Sequence, residues 1–586
     1  MTLRDPAVLE VLKAKPAITT TPGGKEIPYP YPSPEDWRDE WIYFLLVDRF
    51  NNPLAAPKPN EFPCNTYQGG NFAGIKQQLP YLKELGVGAI WISPVLINPQ
   101  WFTDYWGGYG IFDFTRIEPR FCSDPAAALA DRTVADREFR QLVDEAHAEG
   151  IYIILDIVLN HAGDLFNYEG IQDTREYREQ GVYDIFWRNE AGVPQGDRMQ
   201  IESVSGLSEN EGVWPQEFQH NKFFRRKGGN DTFGDFGRLK ELATDQQDEI
   251  TGRFDVRQNL ILAYQYLIAK FDLDGFRIDT LQYIEPEFAR VFGNAMREYA
   301  QQIGKKNFFT FGEVWQDDDE VRIAEFIGRD TDVDTDFIGV DAAIDFPMRK
   351  RLVQVCKGFA PPAILATHFD HRRTILKKII SSHGDAGKFY VTFLDNHDLN
   401  ERFHQHDFMG QTEIALTCLM TMQGIPCIYY GNEQGLEGSG DRREFVREAL
   451  WGRANAFAQD HHLYNHIKDL SALRNMYPAL RYGRQYFRQC SGNKSDFGYS
   501  PFNGGVIAFS RILNGQELLV VANTNTVDAI TVSIVVDQNL HKEGDSMEVV
   551  FPFNDVWPLE NKCITIGDLR TIRLTIPQGK AFVITG

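Results

Sequence analysis

IYIILDIVLNH, residues 151–161, is a short aliphatic run that stops at a polar tip, Asn160-His161, with Asp156 set inside it. Its apolar residues do not alternate with polar ones. A strand reads that way when both faces of its sheet are covered, and parallel sheets are covered on both faces. Seven more runs share this character: WIYFLLVDRF (41–50), VGAIWISPV (87–95), FDLDGFRID (271–279), FFTFGEVW (308–315), FIGVDAAIDF (337–346), KFYVTFLDNHD (388–398) and GIPCIYYGNE (424–433). Amphipathic stretches lie between them, among them NFAGIKQQLPYLKELG (71–86), DREFRQLVDEAHAEG (136–150) and VRQNLILAYQYLIAKF (256–271). Eight strands alternating with helices predict an α/β fold, a closed (β/α)₈ TIM barrel, with a doubly wound open sheet as the second choice.

Working outward, Asp5-Pro6 and AVLEVLKA predict a capped short helix. PGGKEIPYPYPSP (22–34) reads as an extended linker on the surface. Residues 1–40 are thus an N-terminal extension, and 41–161 with 252–482 form the barrel. Residues 162–251 lose the strand–helix rhythm and make an inserted domain after the third strand, too long for an ordinary connection. After residue 483 the runs VIAFSRI, ELLVVANT, AITVSIVV, MEVVFPF, TIRLTI and KAFVITG predict a C-terminal all-β sandwich over 483–586.

Composition narrows the function. The chain has 586 residues, 43% apolar and 24% charged, which excludes a disordered chain. Its formal net charge is −22, so it repels nucleic acid and anionic membranes. FFRRKGG (223–229) is the one compact basic run and reads as a solvated loop. Seven cysteines without CxxC spacing argue against a disulfide framework and a zinc site. No apolar leader or membrane-length run is visible, so the expectation is a cytoplasmic enzyme, a mature secreted chain being the alternative. Aromatic residues reach 13%, and their faces serve a core or a sugar equally well.

The chemistry collects where the barrel strands end: Asp156, Asn160 and His161; Arg277 and Asp279; Glu313; and Asp395, Asn396, His397 and Asp398. The C-terminal rim is where a barrel builds its active site. Singly, each Asp reads as a cap and each His as a structural hydrogen-bonder. Together, several carboxylates, two histidines and an arginine on one rim suit glycoside hydrolysis, which needs one carboxylate at the anomeric carbon and one carboxylic acid at the leaving oxygen. Arg277 lies two residues before Asp279, on the same face of the strand, and is expected to favour its ionised form. No phosphate loop or nucleophile elbow competes.

At these residues the chain resembles the α-amylase superfamily of glycoside hydrolases. DIVLNH (156–161), GFRIDT (275–280), GEVW (312–315) and FLDNHD (393–398) are similar to four family signatures, in the family's order. The resemblance implies Asp279 as nucleophile, Glu313 as general acid/base and Asp398 as the third carboxylate. It implies Arg277 as partner of the nucleophile, supported by Asp156, with His161 and His397 as sugar-binding histidines. Tyr109, in GGYGIFDF (107–114), looks like the tyrosine that stacks under the sugar. It also implies a structural calcium ion between barrel and insertion, with Asn160 as a ligand. The family's fifth signature is not clean; GDFGRLKEL (234–242) is the nearest match, with Asp235 as a second ligand. The sequence departs from the family at Gln282 and Tyr283, where Lys-His is usual, which bears on the leaving side.

The implied substrate is an α-glucan or maltooligosaccharide, cleaved mainly at α-1,4 bonds, with no nucleic-acid or membrane partner. A glucanotransferase, or an enzyme of cyclic or branched oligosaccharides, uses the same residues. An amylase-like binding subunit would lack one of the three carboxylates, and all three are present.

Overall fold

The eight expected strands all form: β1 (Ile42–Leu45), β2 (Ala89–Ile92), β3 (Tyr152–Val158), β4 (Gly275–Asp279), β5 (Phe309–Gly312), β6 (Ala342–Ala343), β7 (Val391–Phe393) and β8 (Ile425–Tyr429). They make one sheet in the order β6-β5-β4-β3-β2-β1-β8-β7, every pair parallel. A parallel bridge between Ile344 and Val391 brings β6 to β7 and closes the ring. This computed structural model describes residues 1–58, 66–102, 106–168, 183–195, 207–226, 234–332, 337–438, 443–553 and 562–586.

The strand interiors are buried on both faces, which is why their sequences do not alternate. The helices between them carry their own start signals. Asn71 accepts from the Gly74 amide at 2.8 Å, and Asp131 from the Thr133 amide at 3.0 Å, each satisfying an otherwise orphaned donor.

Residues 22–34 depart from the expected linker. Glu26–Tyr29 pairs antiparallel with Ala17–Thr20; Gly24, at φ 80°, lets the chain reverse between them. Beyond this hairpin the chain lies as a strap across the barrel at the ends where β4 and β5 begin. The Tyr31 amide donates to Asp272 at 2.9 Å, and its ring stacks on His147 with centroids 4.1 Å apart. The Trp37 indole, fully buried, donates to the Asn307 carbonyl at 2.7 Å. Beneath the strap the buried Lys305 ammonium holds Asp272 and Asp274 at 2.8 Å each.

Between residues 161 and 251 the described residues form short pieces only. His161–Ala162 pairs with Lys240–Glu241, and Phe166–Tyr168 with Ile185–Trp187. Residues 227–229 of the basic run lie outside the described residues. The C-terminal region builds two antiparallel sheets. One holds Arg484–Phe487, Val506–Leu513, Gln516–Asn523, Ala581–Thr585 and Glu548–Phe551; the other holds Cys490–Ser491, Ile530–Val535, Leu569–Ile576 and Cys563–Ile566. Leu519, Val521 and Phe582 of the first pack with Ile534, Ile572 and Leu574 of the second in one apolar core. This is the expected all-β sandwich. The six described cysteines are free, and Cys64 lies outside the described residues. Among the described residues no helix is long and apolar enough to cross a membrane.

Candidate active site

Register decides which side chains meet. Arg277 of β4 lies beside Asp156 of β3 and Phe311 of β5, so the guanidinium reaches groups on both neighbouring strands. Its Nη1 donates to Asp156 at 2.9 Å and to Asp279 at 2.8 Å; its Nη2 donates to Glu313 at 2.5 Å. One buried cation thus spans three carboxyl groups. Asp156 also accepts from the Trp91 indole at 3.1 Å and the Tyr109 hydroxyl at 2.9 Å.

The backbone is sharply bent here. Thr280 has φ 49°, a left-handed conformation that costs a β-branched residue energy and turns the chain out of the barrel directly after Asp279. The following turn, Leu281–Tyr283, packs on β5 because residue 312 is glycine: a Cβ there would lie 2.0 Å from Leu281 Cδ2. The Thr280 amide then faces Glu313 at 3.3 Å. Sequence reading missed Thr280, although a threonine between strand and turn leaves no periodic signal.

A cavity of about 410 Å³ opens over these groups. Asp279, Glu313, Asp398, His161, His397, Tyr109 and Gln282 all line it. Asp395 and Asn396, also read as rim residues, serve the loop instead: Asp395 accepts from the Phe403 amide at 2.6 Å and Asn396 from the Asp398 amide at 3.0 Å. The Tyr109 and His397 rings are stacked, 5.4 Å apart and 6° from parallel. Both histidines are buried, and burial lowers His161 to about 4 and His397 to about 3, so both are neutral at pH 7. Among the described residues His161 Nε2 and His397 Nδ1 have no partner, which leaves two buried polar atoms for a ligand to satisfy.

The three carboxyl groups differ in charge. Burial raises Glu313 to about 8, with Arg277 opposing and the negative charges of Asp279 and Asp398 adding. Burial also raises Asp279, to about 6, against the pull of Arg277. Arg277 favours the ionised form, as expected, but desolvation is the larger effect; Asp279 is still mostly ionised at pH 7. Asp398 is held down to about 2: burial would raise it, but the neighbouring His397 imidazole and the cations Arg447, Arg443 and Arg277 together outweigh that effect. Arg447 Nη2 lies 3.0 Å from Asp398 and Arg443 Nη1 3.4 Å, while Arg447 Nε donates to the His397 carbonyl at 2.6 Å. Neither arginine was found in the sequence, because DRREFVRE sits in a connection with no strand or helix rhythm. Trp106 and Trp315 also line the cavity; Trp106 stands three residues before Tyr109, directly ahead of the motif already singled out.

Gln282 accepts from Gln316 Nε2 at 3.2 Å. Asn160 is buried at the root of the insertion, its carbonyl accepting from the Leu242 amide at 2.9 Å. Asp235 is engaged on both oxygens: Oδ2 meets Lys240 Nζ at 2.8 Å and the Tyr168 hydroxyl at 2.7 Å, and Oδ1 accepts from the Glu241 amide at 3.2 Å. As it stands, Asp235 does not fit a calcium ion, since the Lys240 ammonium already occupies the carboxylate that the ion would need.

The Alpha-amylase family model, described as "Alpha amylase, catalytic domain", matches residues 44–451. The chain belongs to the α-amylase family. It is 26% identical over 516 residues to an α-amylase of Streptomyces lividans, covering 78% of this chain and 51% of that one. It is 25% identical to a cyclomaltodextrinase of Thermoanaerobacter pseudethanolicus, covering 85% of this chain and 73% of the other. The chain therefore spans only about half the length of the Streptomyces relative. The crystal structure of an α-amylase from Geobacillus thermoleovorans superposes with a TM-score of 0.64 at 22% identity, over 94% of this chain and 99% of that one. That likeness establishes the α-amylase fold.

Proposed function

We propose that this chain is a retaining glycoside hydrolase that cleaves α-glucosidic bonds, mainly α-1,4, in starch, glycogen or maltooligosaccharides. The observation that carries the reading is the Arg277 guanidinium touching both Asp279 and Glu313, while burial and charge set the two carboxyl groups apart in acidity. Two carboxyl groups with divided protonation states are what acid-assisted displacement requires.

In the reading, Asp279 attacks the anomeric carbon and forms a covalent glycosyl-enzyme. Glu313, protonated at neutral pH, gives its proton to the leaving oxygen, then takes one from the incoming water. Asp398 stays ionised and binds sugar hydroxyls, and its charge stabilises the oxocarbenium-like transition state. Neutral His161 and His397 each have a free ring nitrogen for a hydroxyl, and Tyr109 lies under the sugar ring. Asp156 and Arg277 hold the pair in place. Two inversions give net retention.

The junction between barrel and insertion we assign to Lys240 rather than to calcium: its buried ammonium supplies positive charge against Asp235. Six free cysteines favour a reducing compartment, the cytoplasm. A transferase reading draws support from the uncharged Gln282 on the cavity wall, and product analysis on maltooligosaccharides and cyclodextrins separates the two.

The test is the anomer released first. NMR of maltooligosaccharide cleavage is expected to show the α-product, and Asp279→Asn to lower kcat by ~10⁴-fold or more with the fold intact. A β-anomer appearing first overturns the assignment of Asp279.

A further inference from the structure

A second cavity, about 690 Å³, lies away from the carboxylates. It is bounded by the helix Ala363–Leu376, the turn Ala386–Lys388, Gln423 and the strand Arg484–Phe487. Lys388 and Gln423 come just before β7 and β8, so this cavity opens at the end where the strands begin. The catalytic groups sit at the opposite end and share no lining residue with it.

Its charge runs against that of the molecule. In a chain of net charge −22, the wall carries Arg372, Arg373, Lys377, Lys388 and Arg484 against Asp370 and Asp385. Arg372 is consumed by Asp345 at 2.5 Å and Glu320 at 2.7 Å. Arg373 reaches Asp370 only at 3.7 Å and Lys388 reaches Asp385 only at 3.8 Å. Lys377 and Arg484 have no carboxylate within 4.0 Å among the described residues. Two uncompensated cations thus face one space, beside two loosely held ones.

The floor holds a second, independent sign. Gln485 is 3% exposed. Its Oε1 accepts from the Gln423 amide at 2.7 Å, but its Nε2 has no partner among the described residues. A buried amide without an acceptor costs stability unless something else supplies one. Phe369 and Tyr486 add aromatic surface beside it.

We propose that this cavity binds a small sugar phosphate. Lys377 and Arg484 meet the phosphate, as Lys and Arg do elsewhere. Gln485 Nε2 donates to a sugar hydroxyl, and the aromatic wall covers the ring. The volume falls within the range of small-molecule sites and exceeds what a bare anion fills.

The probe is glucose 6-phosphate, read by calorimetry and thermal unfolding at constant ionic strength. Saturable binding is expected, with a rise in melting temperature of ~2–4 °C at a hundredfold excess over Kd. Lys377→Ser with Arg484→Ser, both on exposed side chains, should weaken binding ~10-fold or more and leave starch cleavage unchanged. Gln485→Glu keeps the acceptor for the Gln423 amide but places a carboxylate in the floor, and should abolish binding. The proposal is overturned if glucose 6-phosphate does no more than sodium chloride, if inorganic phosphate gives an equal shift at equal concentration, or if all three substitutions leave the Kd unchanged.

Discussion

The division of protons between Asp279 and Glu313 fixes the pH dependence of cleavage. With Asp279 at about 6 and Glu313 at about 8, the form with one ionised and the other protonated makes up ~80% of the enzyme at pH 7. At pH 5 and at pH 9 it falls to ~9%. The kcat/KM on a maltooligosaccharide should therefore be bell-shaped, losing ~9-fold on each side of neutrality. The sign follows from the roles. Acid inactivates by protonating the nucleophile, and alkali by removing the proton that the leaving oxygen needs. The decisive perturbation is the leaving group. A dinitrophenyl maltoside departs without a proton, so its alkaline limb should disappear while the acid limb stays. Glu313→Gln should lose ~10²–10⁴-fold on the natural bond and far less on the aryl substrate. Stopped-flow or initial-rate measurement of kcat/KM across pH 4–10 reports the first step alone. An alkaline limb that persists on the dinitrophenyl substrate belongs to another group and refutes Glu313 as the acid.

Two further outcomes follow from the same geometry. Exhaustive chelation should leave the melting temperature unchanged, whereas Lys240→Met should cost ~3–5 kcal/mol by stranding the buried Asp235 charge, measured by denaturant unfolding; a wild type that loses stability on chelation contradicts the assignment. Gln282→Ala should alter product lengths or the transfer ratio more than it slows an activated aryl glycoside, because a neutral amide on the cavity wall binds acceptor sugars without taking part in bond breaking; equal losses on both substrates place Gln282 in the fold or the chemistry.

The barrel was legible because parallel strands buried on both faces leave continuous apolar runs, and because their polar tips mark where each strand ends. Asp156, Arg277, Asp279, Glu313 and Asp398 were legible for the same reason: each stands at or just beyond a strand, where the register forces them together. What the sequence hid depends on connections. Arg443 and Arg447 come from a segment with no periodicity, and only the closed ring carries them to Asp398. The acidity of Asp279 was read from its partner alone, since burial is a property of the assembled barrel. The role of Lys240 was hidden because a lysine in a loop-like stretch looks solvated until its neighbours are in place. Residues 22–34 misled because a Gly-Gly turn between short polar strands also reads as a linker.

The strap across the barrel floor has a consequence in time. Tyr31 and Trp37 are made some 240 to 270 positions before their partners Asp272 and Asn307. At ~5–20 residues per second, the segment waits on the order of ten seconds to a minute with its aromatic rings exposed before a floor exists to receive it. Whatever shields Trp37 in that interval acts on a chain that has no barrel yet. The docking of this segment thus waits for β4 and β5, and it ties the strap to residues made far later.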